Sequence, residues 1–65
     1  MHAIQPPAVP TGTIKTLGPT GPKYEVGKAL RPLENGDWAV AIVLVETNEE
    51  VEYCLTGIND DPEAN

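Results

Sequence analysis

The chain has 65 residues, 40% of them apolar and 5% aromatic, with seven Pro, six Gly, one Cys and one His. That is one small domain whose net stability is only about 3–5 kcal/mol. A single Cys54 and a single His2 exclude an intrachain disulfide and the usual Cys/His zinc set.

The net charge of −6 is unevenly divided: residues 1–33 hold all four cations, Lys15, Lys23, Lys28 and Arg31, against Glu25 alone, whereas residues 34–65 hold nine carboxylates and no cation. A strongly acidic chain starts poorly as a nucleic-acid binder, which needs positive charge to release counterions from phosphates. The split fits a soluble surface with pairing between a basic and an acidic half, or a polarised surface that steers a basic partner. The longest apolar run, Trp38 to Val45, falls far short of the ~20 residues of a membrane helix. The first residues show neither the basic nor the apolar region of a secretory signal, and the lone Cys suits a reducing compartment. A cytoplasmic location is expected.

Residues 1–11 contain Pro6, Pro7 and Pro10 and no periodicity, so they are expected to form a flexible Pro-rich arm. Pro7-Ala8-Val9-Pro10 has the P-x-x-P spacing of polyproline II ligands but no flanking Arg, which makes it a weak docking signal. From residue 12 onward, short apolar segments are cut by turn residues, the pattern of a single small all-β domain over 12–65. Gly12–Leu17, Lys23–Leu33, Trp38–Glu46 and Glu50–Thr56 read as four strands. Gly18-Pro19-Thr20-Gly21-Pro22 is turn chemistry throughout.

Turn chemistry also predicts register. Glu34-Asn35-Gly36 reads as a type I turn closed by Gly36 in the left-handed bulge position, setting Leu33 opposite Asp37. An unbroken ladder then places Leu30 across from Val40, Lys28 from Ile42, Val26 from Leu44 and Tyr24 from Glu46, with Lys28 the one misfit. A two-residue Asn35-Gly36 turn would flip the register and need a bulge at Gly27 to recover Tyr24 and Val26, so the first version, with fewer repairs, is preferred. A loop over Asn48-Glu49, or one two residues longer, pairs Leu44 with Tyr53 and Ile42 with Leu55, so Val51, Tyr53 and Leu55 share the large-residue face. One face therefore gathers Tyr24, Val26, Leu30, Trp38, Val40, Ile42, Leu44, Tyr53 and Leu55 as the core. Thr56 is placed to cap a short C-terminal helical turn with Ile58 on the core, ended by Asp61-Pro62, after which the chain frays.

The expected architecture is a small antiparallel meander of three to four strands. Closure into an SH3-like barrel is one way to hide a single apolar face and remove the sheet edges. The opposite face of the third strand is apolar too. Ala39, Ala41, Val43 and Val45 stand in one row, with Cys54 beside it, and need a cover: the first strand and arm, or another chain.

No catalytic, cofactor-binding or metal-ligating set emerges. Cys54 reads as a small buried hydrophobe, since Glu52 disfavours a thiolate. Asp60, Asp61 and Glu63 read as a solvated acidic surface, because the segment lacks the spacing of a calcium loop. Gly18-x-x-Gly21 lacks the Ser/Thr and helix of a phosphate loop, and the aromatics fall on the core face rather than on a base-stacking surface. The run Gly18-Pro19-Thr20-Gly21-Pro22-Lys23-Tyr24-Glu25-Val26, with Gly36-Asp37-Trp38, Glu52-Tyr53-Cys54-Leu55 and Asp61-Pro62-Glu63-Ala64, resembles a family of short bacterial proteins of unknown function. The resemblance covers residues 12–64 and implies a bacterial source but no reaction, ligand or assigned site.

The expected role is a non-enzymatic interaction module that binds a protein partner or itself through Ala39, Ala41, Val43, Val45 and Cys54. The alternative is a nucleic-acid or regulatory accessory protein using Lys15, Lys23, Lys28 and Arg31. Nothing in the sequence points to a membrane or names a small-molecule ligand.

Overall fold

The computed structural model describes residues 7–64. Four antiparallel strands, β1 (Ile14–Thr16), β2 (Lys23–Pro32), β3 (Trp38–Leu44) and β4 (Glu50–Cys54), form one meander in sequence order, followed by a short helix, α1 (Leu55–Asp60). The sheet does not close into a barrel: β1 and β4 are its two edges. Closure is replaced by the C-terminal segment. After α1 the chain crosses to β1, where Thr16 N–H donates to Pro62 O and Ala64 N–H donates to Ile14 O, setting the backbones of Lys15 and Glu63 opposite each other in an antiparallel bridge. Residues 63 and 64 are thus held on the sheet, contrary to the fraying expected of them.

The β2–β3 turn forms as its residues dictate. Gly36 has φ of +87°, Leu33 N–H donates to Asp37 O, and Pro32 and Arg31 lie opposite Trp38 and Ala39. Beyond Arg31 the register departs from the unbroken ladder. Ala29 pairs with Val40, Val26 with Ile42 and Tyr24 with Leu44, with irregularities between Arg31 and Ala29 and between Ala29 and Val26. Each inserts one extra residue into β2. The two together shift the pairing by two residues, so Tyr24 and Val26 stay on the face expected of them. Lys28 is absorbed by the second irregularity instead of opposing Ile42, and Leu30 by the first instead of opposing Val40.

Gly27 lies at the second irregularity, where a Cβ would sit 2.7 Å from Ala41 O. Only glycine admits that approach between the strands. On the other side of β3, Val40 pairs with Tyr53 and Ile42 with Val51. This is four residues from the pairing expected, because the loop begins at Val45 and Asn48 adopts φ of +62°.

The core comprises Tyr24, Val26, Val40, Ile42 and Ile58, with Val9, Leu17, Leu44, Tyr53 and Leu55 packed against it. Trp38 is only half-buried and Leu30 is exposed, so these two expected core residues lie outside the cluster. Val9 takes part instead. The half of the expected flexible arm that is described docks on the domain: Val9 packs on the core and Thr11 Oγ1 donates to Gly27 O. Residues 1–6 of that arm lie outside the described residues.

The helix begins at Leu55, one residue before the expected cap, and its N-cap Cys54 makes no side-chain capping bond. Asp37 takes over from across the sheet, its Oδ1 accepting from Trp38 N–H at 2.8 Å and from Thr56 N–H at 3.2 Å. These bonds hold the Asp37 carboxyl below the usual carboxylate range, the Trp38 amide contributing most. Asp61 ends the helix in extended geometry, as a residue before Pro should.

Candidate interaction site

The second face of the sheet is built around β3. Register places Arg31 and Cys54 on either side of Ala39, and Glu52 beside Ala41. Residues directly opposite one another in a ladder share a face, so Arg31 and Glu52 reach over β3 from its two neighbours. They meet there in a two-pronged ion pair, 2.7 and 3.0 Å. The pair raises the Arg31 pKa and lowers that of Glu52, each chiefly through the hydrogen bonds they share. Small side chains beneath make this crossing feasible, and Ala39 and Ala41 are buried.

The remaining residues of the row behave differently. Val43 is half-buried between Glu25 on β2 and Glu50 on β4, while Val45 lies past the strand, exposed in the turn. Cys54 is a half-buried free thiol against Gly57.

Beside the ion pair lies a shallow groove of about 210 Å³ lined by Leu30, Ala41, Glu50, Val51 and Glu52. Leu30 and Val51 are large apolar residues left 39% and 38% exposed. The groove adjoins the β4 edge, and backbone pairing fixes what that edge offers. Leu44 N–H donates to Glu49 O, so the hydrogen-bonded positions of β4 are Glu49, Val51 and Tyr53. The N–H and C=O groups of Glu50 and Glu52 therefore point away from β3. At the opposite edge, the outward Ile14 C=O and Thr16 N–H are bonded by the C-terminal segment. Sequence reasoning does not reach this groove, because an unbroken register puts Leu30 in the core.

The four cations do not form a cluster. Lys15 sits on the core face opposite Tyr24 and is buried, its Nζ donating to Ile58 O at 2.6 Å and Asp61 O at 3.3 Å. Arg31 is committed to Glu52, leaving Lys23 and Lys28 exposed. Nor is Asp61 a solvated acid. Its carboxylate accepts from Tyr24 Oη at 2.6 Å and from Gly18 N–H at 3.1 Å. A buried phenol needs such a partner, and the sequence signal was there in Tyr24 placed on an apolar face.

Among the described residues no group of three or more His, Cys, Asp or Glu is arranged to hold a metal ion, and no helix is long and apolar enough to cross a membrane. Residues 2–65 match the model of a family of unknown function, DUF5397. An uncharacterized protein of Haemophilus influenzae is 41% identical over 56 residues, spanning 86% of this chain and 89% of that protein. Both agree with the resemblance carried by the Gly-Pro turn, the Gly36-Asp37-Trp38 segment and the Asp61-Pro62 terminus. The chain belongs to the DUF5397 family, a family of unknown function.

Proposed function

We propose that this chain is a non-enzymatic interaction module whose partner is a protein. The observation that supports it most is the groove lined by Leu30, Ala41, Glu50, Val51 and Glu52, which reaches a sheet edge whose outward backbone groups have no partner among the described residues. Exposed apolar side chains are ordinary when scattered. Here Val51 belongs to the edge strand itself, beside main-chain donors and acceptors, the combination used by domains that recognise extended segments. The row expected from the sequence contributes through Ala41, which lines the groove, and through Val43, which continues it along β3.

The test is capture of the tagged full chain from its bacterial source, compared with a Leu30→Ser/Val51→Thr double variant. Both positions are exposed, so the variant keeps its fold, checked by circular dichroism. A stoichiometric protein held by the natural chain and lost by the variant is the expected result. Equal recovery with both chains would place the interaction elsewhere, and recovery of none would leave the module without a partner and count against the proposal.

A further inference from the structure

Resting on that reading, we infer that the β4 edge takes an extended, basic segment of another protein as an antiparallel fifth strand, with Lys or Arg side chains set against Glu50 and Glu52. The two edges of the sheet differ in a way that supports this. On β1 the outward Ile14 C=O and Thr16 N–H are already bonded, to Ala64 N–H and Pro62 C=O of the same chain. On β4 the outward groups at Glu50 and Glu52 have no such strand among the described residues, and β4 follows Glu46 and Glu49, so the edge begins in a run of carboxylates.

Register dictates the partner's pattern. In an antiparallel pair, a residue that exchanges hydrogen bonds with Glu50 lies directly opposite it, on the same face of the sheet. Its side chain therefore meets the Glu50 carboxylate, and a cation is the complement. The residue two further along meets Glu52, where it joins Arg31 around the same carboxylate. The intervening residue projects to the other face, beside half-exposed Val51 and half-buried Tyr53. The segment thus alternates basic and apolar residues. The acidic half of the chain, with nine carboxylates over residues 34–65, favours the approach of such a segment.

A second copy of this chain is the wrong occupant. Antiparallel pairing of β4 with itself about a two-fold axis through Val51 sets Glu50 against Glu52 of the other copy, twice. Like charges directly opposite one another destabilise a ladder, and charged edge residues are a recognised guard against self-pairing.

The probe is a short synthetic peptide alternating Lys and Val, titrated into the full chain and followed by the amide resonances of β4. Binding is expected to perturb and protect Glu50 and Glu52 amides. It should weaken by about tenfold or more in Glu50→Lys, a change of about 1.4 kcal/mol, and weaken again as salt is raised. Two further peptides remove the ambiguity of simple charge attraction. N-methylation of the Lys residues blocks the donors that face β4 and should abolish binding; N-methylation of the Val residues should spare it. Equal binding by both would overturn strand pairing, as would a dimer of the free chain with protected Glu50 and Glu52 amides. If the Lys/Val peptide does not bind while the Leu30→Ser/Val51→Thr variant still loses a captured protein, the inference falls and the broader reading stands. If capture is also unchanged, both fall.

Discussion

The Tyr24 hydroxyl, at the start of β2 and inaccessible to solvent, donates to Asp61 Oδ2, 2.6 Å away at the end of α1. This bond ties the first hairpin to the last turn of the chain. Asp61 also accepts from Gly18 N–H, and buried Lys15 donates to the carbonyl oxygens of Ile58 and Asp61. The C-terminal segment is thereby fixed where it can pair with β1.

Asp61→Ala removes the acceptor and leaves a buried phenol unsatisfied, at a cost of about 1–3 kcal/mol. Against a total of about 3–5 kcal/mol for a chain of this size, that is a large fraction. Urea denaturation of Asp61→Ala, Tyr24→Phe and the double variant should show coupling between the two sites. Additive losses would mean the bond contributes little.

Alkaline pH should destabilise the fold through the same phenol. Burial, then the bond to Asp61, raises the Tyr24 pKa well above its ordinary value. The folded chain keeps this proton when the unfolded chain loses it near pH 10. Above that pH the unfolded state binds fewer protons, so stability falls as pH rises, by up to about 1.4 kcal/mol per pH unit. Tyr24→Phe should flatten this part of the pH profile relative to the natural chain.

Acid acts on the other end of α1. The Asp37 carboxyl titrates below its ordinary range in the folded chain because it accepts the Trp38 and Thr56 amides. The stabilisation is present above the unfolded pKa of about 4 and is lost as pH falls toward the folded value. Asp37→Ala should lower the midpoint of thermal unfolding at neutral pH. Near pH 2 the difference from the natural chain should shrink, and a constant difference would show that the cap does not titrate as described.

Gly27→Ala tests the second irregularity in β2. The added methyl would meet Ala41 O at 2.7 Å, a backbone atom that cannot swing aside. Overpacking of this kind costs about 1–3 kcal/mol, so denaturant unfolding should shift to lower concentration, and an unchanged midpoint would show that the strands can part there.

These residues show where sequence pattern sufficed and where it did not. All four strands, the Gly36 turn, the two faces of β3 and the position of Ile58 follow from alternation and turn chemistry, which act over a few residues. The extra residues at Leu30 and around Gly27 do not. A bulge costs little locally and is decided by what the whole sheet must bury, here Tyr24 and Val26. Lys15 was unreadable for a related reason: only the pairing with Tyr24 turns it inward, and its acceptors are carbonyl groups over forty residues away. The groove at Leu30 and Val51 depends on that same register, so it could not be seen before the bulges were known.

Residue-resolved amide hydrogen exchange on the free full chain tests the asymmetry of the sheet most directly. Slow exchange is expected at Val51 and Tyr53, whose amides face β3, and at Thr16 and Ala64, which join β1 to the C-terminal segment. Fast exchange is expected at Glu50 and Glu52, giving a strict alternation along β4. Protection of Glu50 and Glu52 in the free chain would show that edge already occupied and contradict an open docking strand.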